Sequence, residues 1–170
     1  MLVEDAAALE RAAAELREET LVGFDTETRP AFRPGERYLP SLFQAAAKST
    51  VFIFPVQRFD CSALLRRLLS SPGTVKAGIS VADDLKTLKE LFPFDEASVV
   101  DVGRVAKKAG AKQSGVRNLA GLCLGFRIPK RKSTSNWAAP RLSPQQLLYA
   151  ATDAWACREL ALHFARLGLL

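Results

Sequence analysis

Apolar residues fall in short blocks along this chain, and the spacing inside each block decides the element it forms. Residues 3–18 hold mostly Ala, Leu, Glu and Arg, all strong helix formers, and predict an opening helix. Leu21 to Phe24 is a short apolar run that predicts a buried strand ending at Asp25. Pro30, Pro34, Gly35 and Pro40 make residues 29–40 a loop or wide turn. Leu42–Ala46 and Val51–Phe54 then read as two strands joined by a polar turn. In Ser62–Leu69 the side chains of Leu64, Leu65, Leu68 and Leu69 share one helical stripe. Val75–Ile79 reads as a strand, Val81–Leu91 as a helix capped by Ser80, and Val99–Val102 as a last short strand. Helices follow from about residue 103, punctuated by Gly115, Gly121 and Gly125, and residues 128–142 are the least regular stretch. Ser143-Pro144-Gln145-Gln146 opens the final helix, with Ser at the cap, Pro at the first helical position and Gln three residues after the cap.

Early strands linked by short turns, then strands alternating with helices, imply an α/β layered domain with a mixed sheet. A chain of 170 residues is expected to form a single domain, residues 1–170, with a core of its own. With 48% hydrophobic and 25% charged residues, its balance is that of a globular protein. No apolar run reaches the roughly 18 to 20 residues that span a bilayer, so no membrane association is expected. Met1-Leu2-Val3-Glu4-Asp5 is acidic and lacks the layout of a signal peptide. Cys61, Cys123 and Cys157 form neither a metal-ligand spacing nor a disulfide framework; they read as small buried apolar residues of a cytoplasmic protein. A net charge of +6 suits a polyanionic partner. The cations concentrate in Lys107, Lys108, Lys112 and Arg117, and again in Lys130, Arg131 and Lys132.

Candidate chemistry lies in the carboxylates. Asp25 and Glu27 stand two apart at the end of an apolar run, and on a strand residues i and i+2 share a face. Tyr149 and Asp153 stand four apart in an apolar helix, so they share a face too. A carboxylate in that setting needs a partner if buried, and a metal ion is one. Asp84 lies near the start of the predicted helix 81–91. With Ser80 as cap, its neighbour Asp83 falls at the third helical position, on the solvent-facing stripe of Lys86, Thr87 and Glu90. Asp84 shares its stripe with Leu88 and Leu91 and is expected to point inward. Each short match arises by chance in many proteins; the combination and its order carry the signal.

Phe24-Asp25-Thr26-Glu27, Gly78-Ile79 with Asp84, Ser135-Asn136-Trp137 and Leu148-Tyr149-Ala150-Ala151-Thr152-Asp153-Ala154 resemble the ribonuclease D and Werner-syndrome-type 3′→5′ exonuclease domain, in the tyrosine branch of the DEDD superfamily. The resemblance covers roughly residues 15–165. It implies a ribonuclease-H-like fold, a mixed five-stranded sheet flanked by helices. It also implies hydrolysis from the 3′ end of DNA or RNA with two divalent cations, Mg²⁺ or Mn²⁺, releasing nucleoside 5′-monophosphates. In that arrangement Asp25 bridges both metals, Glu27 and Asp153 complete the inner site, and Asp84 holds the outer metal, directly or through water. Tyr149 positions the attacking water; tyrosine titrates near ~10, which suits an orienting group better than a strong base. The sister branch carries a histidine five residues before the last aspartate, where this chain has Leu148, and the chain's one histidine, His163, reads as a helix-surface residue. Ribonuclease D proper carries further helical domains, so a chain ending at Leu170 is expected to be a nuclease module alone.

Substrate contacts are less sharply drawn. Lys130, Arg131 and Lys132 read either as phosphate contacts or as a solvated basic loop. Trp137 reads as a base-stacking residue or as packing against the final helix, the second being preferred. Thr26 and Thr28 flank the acids and are candidate contacts to the terminal nucleotide, while Gln44 is read as structural. Two other classes compete: a catalytically silent nucleic-acid-binding module of the same fold, and a Rossmann-type enzyme. The first is disfavoured because all five motif residues are present, the second because no Gly-x-Gly-x-x-Gly follows the first strand.

Overall fold

The computed structural model describes residues 1–129 and 135–170. Its centre is β1 (Leu21–Glu27), which joins β2 (Leu42–Ala46), β3 (Val51–Phe54), β4 (Val75–Gly78) and β5 (Val99–Asp101) in a sheet of order β3-β2-β1-β4-β5. β1, β2 and β3 form an antiparallel meander, whereas β4 and β5 run parallel to β1. The sheet is therefore mixed, as expected. β1 does not end at Asp25. Its pairing with β2 continues to Glu27 opposite Leu42, because the antiparallel ladder supplies partners beyond the apolar run.

Helices cover both faces. α1 (Ala6–Arg17), α2 (Ser62–Ser70) and α3 (Ala82–Leu91) pack on one side, where Leu16, Leu65, Leu69 and Leu88 meet Val22, Phe24 and Phe43. Full burial of each such leucine stabilises the fold by about 1.5–3 kcal/mol. On the other side lie α4 (Val102–Lys108), α5 (Val116–Leu119) and the long α6 (Pro144–Arg166). α5 runs on into a π-helical turn, Ala120–Leu124, which Gly125 closes at φ 73°.

Helix starts explain two shifts from the sequence pattern. α1 begins later than residue 3 because the Asp5 side chain accepts from the Ala8 amide at 2.7 Å, while Leu2 and Val3 extend alongside β3. α3 begins at Ala82, and Ser80 does not cap it. Ser80 adopts a left-handed φ of 58° that turns the chain sharply out of β4. α6 starts as its sequence predicts: Ser143 and Gln146 form a reciprocal capping box with Pro144 behind it.

Candidate active site

Asp25 and Glu27 project from one face of β1 at its carboxyl end, and α6 lies directly over that face. Gly23 permits this. A Cβ there would collide with the Ala154 carbonyl oxygen and lie 2.5 Å from the Arg158 amide nitrogen, so any larger residue would push helix and strand apart. The close approach carries Asp153, 5% exposed, onto the acids of β1. Carboxylate oxygens of Asp25, Glu27 and Asp153 all lie within 4.8 Å of one another.

Asp84 arrives from the opposite side of the sheet. The turn Gly78-Ile79-Ser80-Val81 is tight enough that a Cβ on Gly78 would sit 3.0 Å from the Phe24 carbonyl oxygen and overlap the Val81 side chain. That turn sets the first turn of α3 over the end of β1. Asp84 is partly buried there, while Asp83 faces solvent. The division between neighbouring acids follows the predicted stripes, although the cap that motivated it is absent. The Thr26 hydroxyl donates to Asp84 Oδ1, so Thr26 engages a site carboxylate from the face opposite Asp25. Alternation along β1 turns the Thr26 side chain away from the face that Asp25 and Glu27 share. Thr28 lies just beyond the strand and is exposed.

Electrostatics mark the cluster as cation-seeking. The Asp25 carboxyl is held well above its ordinary range, first by burial and then by the charges of Asp153, Glu27 and Asp84. Burial also raises Asp84, opposed by the hydrogen bond from Thr26. Several carboxylates packed this closely repel one another unless protons or cations intervene. The donors are all oxygen, the preference of Mg²⁺ and the usual company of Mn²⁺. A hard divalent cation therefore fits the residues present.

Tyr149 lies one turn before Asp153 on α6, and its ring centroid is 6.2 Å from that of Trp137. Trp137 is 1% exposed and packs with Leu42, Ile53 and Ala150, which leaves no face open to a base. Trp137 thus packs beneath α6, the arrangement of its packing reading. Its loop is fastened to α6 and to the neighbouring loop. Gln146 Nε2 donates to the Asn136 carbonyl at 3.3 Å, and Arg58 donates to the Ala139 and Pro140 carbonyls at 3.0 and 2.6 Å. Lys130, Arg131 and Lys132 lie outside the described residues. Leu148 is 69% exposed, and His163 sits in the last turn of α6, about 15 Å along the helix from Asp153.

Sequence comparison gives this site a family. The pattern of the family described as 3′-5′ exonuclease matches residues 1–168. The chain belongs to the 3′-5′ exonuclease family. Among relatives, the exonuclease mut-7 homolog of Homo sapiens is 30% identical over 168 residues, 82% of this chain and 19% of the relative. The bifunctional 3′-5′ exonuclease/ATP-dependent helicase WRN of Mus musculus is 32% identical over 142 residues, 80% of this chain and 10% of the relative. This exonuclease-family chain thus spans less than a fifth of the length of either. Of solved structures, Escherichia coli RNase D, described as an exoribonuclease involved in structured RNA processing, superposes with a TM-score of 0.85 at 20% identity, over 100% of this chain and 46% of that one. The ribonuclease-H-like α/β fold expected from the motifs is the fold observed.

Gly23 is the site-forming residue of this exonuclease-family domain that the motif reading passed over. Its one signal in the sequence is a glycine inside an otherwise apolar strand, which often marks close approach of another backbone.

Proposed function

We propose that the chain is a single metal-dependent 3′→5′ exonuclease domain, removing nucleotides from the 3′ end of DNA or RNA as nucleoside 5′-monophosphates. The observation that carries this reading is the convergence of Asp25, Glu27 and Asp153 within 4.8 Å, from a strand and a helix. Membership of the exonuclease family supports it. Asp25, central to the cluster, would contact both of two cations. Glu27 and Asp153 would complete the inner position, and Asp84, on the far side of β1, would serve the outer one. When bound, such a pair supplies a nucleophilic water near neutral pH and offsets charge on the phosphoryl and leaving oxygens. Tyr149 would orient the attacking water through its hydroxyl, its ring fixed by packing on Trp137. Thr26 would keep Asp84 aimed at the site. Attack on phosphorus breaks the bond to the 3′ oxygen of the preceding nucleotide, which leaves a shortened strand with a 3′ hydroxyl.

The test uses 3′-labelled and 5′-labelled DNA and RNA oligonucleotides with Mn²⁺, Mg²⁺ or EDTA. Mononucleotide release from the 3′ end, with either cation and not with EDTA, is the expected outcome. Cleavage of a circular substrate, or full activity in excess EDTA, overturns the reading. Binding without any cleavage under all conditions would return the chain to the class of silent binding modules.

A further inference from the structure

Gln44 occupies the middle of β2 with 0% of its surface exposed, and neither Nε2 nor Oε1 has a hydrogen-bond partner among the described residues. A primary amide carries two donors and two acceptor lone pairs, and burying it unsatisfied destabilises a fold that an apolar residue of the same size would spare. Its place in the sheet narrows what it can serve. Gln44 stands directly opposite Asp25 across β1 and β2, and opposite Ile53 across β2 and β3. Residues directly opposite in an antiparallel pair share a face, so the amide belongs to the face that carries Asp25 under α6. Leu42 and Ile53, its neighbours on that face of the sheet, are both buried and apolar. Through Asp25, its cross-strand partner, the acid cluster lies on that same face of the sheet, as do the polar ends of Tyr149 and Trp137.

We propose that Gln44 is a positioning residue for Asp25, its amide reaching the carboxylate through one ordered water and holding it in the orientation that takes the cations. Such a water accepts from Nε2 and donates to the carboxylate, which satisfies one of the amide's donors and directs the other carboxylate oxygen outward. Outer partners of this kind fix the direction of metal ligands and are commonly worth ~10–100-fold in metal affinity. The inference rests on reading the acid cluster as a cation site.

The experiment compares wild type with Gln44→Met, similar in length and without hydrogen-bonding groups. Mn²⁺ affinity is measured by calorimetry well below the melting temperature, and Tm is measured in EDTA. In Gln44→Met, Tm in EDTA should be unchanged or higher, and Mn²⁺ should bind ~10–100-fold more weakly. Unchanged Mn²⁺ affinity overturns the proposal, whatever happens to Tm, because a packing role does not move cation binding to folded protein. Should Gln44→Met fail to fold, Gln44→Asn carries the same comparison, since an amide one methylene shorter misplaces the water; undiminished affinity there overturns the proposal equally. If wild type itself takes up no Mn²⁺, the cation reading falls and this inference with it. Wild-type binding matched by the variant removes only the role of Gln44.

Discussion

With no cation at hand, the carboxyl of Asp25 is shifted toward its acid form, because burial and three neighbouring carboxylates all oppose its ionisation. The folded-state pKa is raised above the ordinary 3.8. The stability this group contributes is therefore present below that value and is lost as pH rises through the raised folded pKa. Asp84 acts in the same direction. Surface carboxyls such as Glu36 and Glu90, whose pKa is lowered, act the opposite way, so a comparison between variants isolates the site. Asp25→Asn is expected to stabilise the metal-free protein near neutral pH, with Tm in EDTA rising by ~2–4 °C for each ~1 kcal/mol of repulsion relieved. The difference from wild type should vanish toward pH 3.8, and cations should no longer raise Tm. Thermal melts across pH, with and without Mn²⁺, check this; a lower Tm in EDTA would refute it. A second comparison separates the adjacent acids of α3. Asp84→Asn is expected to nearly eliminate nuclease activity with the fold intact. Asp83→Asn, at an exposed position in the first turn, should cost about 0.3–1 kcal/mol through the helix dipole and leave most activity. A dead Asp83→Asn enzyme beside an active Asp84→Asn one would reverse the assignment.

Between elements, the decisive contact is that of α6 with β1 at Gly23. Gly23→Ala is expected to destabilise the fold by about 3 kcal/mol, at the upper end of overpacking effects, since the obstructing atoms are backbone and cannot rotate aside. Activity should fall further than the folded fraction does, because the same displacement separates Asp153 from Asp25 and Glu27. Urea titration beside single-turnover rates distinguishes the two effects, and a fully active Gly23→Ala domain would show that the spacing is not critical. How much was legible at this scale depends on what set each element. Leu64, Leu65, Leu68 and Leu69 announced α2 by their stripe, and Ser143 with Gln146 announced the start of α6, because these signals are local. The full length of β1 was hidden, since its last pairs depend on a partner strand. The real turn before α3 was hidden too: Ser80 reads as a cap in sequence, yet the tertiary position of α3 forces it into a left-handed conformation. Burial of Lys76 was equally invisible. Its ammonium donates to the Ser71 and Thr74 carbonyls at 2.5 and 2.8 Å, and a lysine in sequence carries no mark of such partners. At the site, the spacing of Asp25 with Glu27 and of Tyr149 with Asp153 fixed which side chains share a face. Only the fold determines that those faces meet, and that Thr26 and Trp137 are engaged by the protein itself.

At the scale of the whole molecule, the net charge of +6 bears on encounter with a polyanion. Affinity for single-stranded oligonucleotides should fall as salt rises, with a slope of about −0.7 for each phosphate neutralised. Replacing Lys130 and Lys132 together by Ala should flatten that slope by roughly one unit or more. Fluorescence anisotropy in EDTA over a salt series measures it, and an unchanged slope would assign those lysines to solvent. The meeting of β1 and α6 has a consequence in time as well as in space. Asp25 and Glu27 lie near one end of the chain and Asp153 near the other, so a cation held by all three would be grasped only after the last helix has docked on the first strand. A ligand bound that late in folding stabilises the native state and leaves the transition state untouched. Mn²⁺ should therefore slow the unfolding limb of a chevron and leave the refolding limb where it is in EDTA; a faster refolding limb would mean that strand and helix come together early. The metal would act as a latch on the finished chain, and the lifetime of the folded enzyme would be set by the cation supply around it.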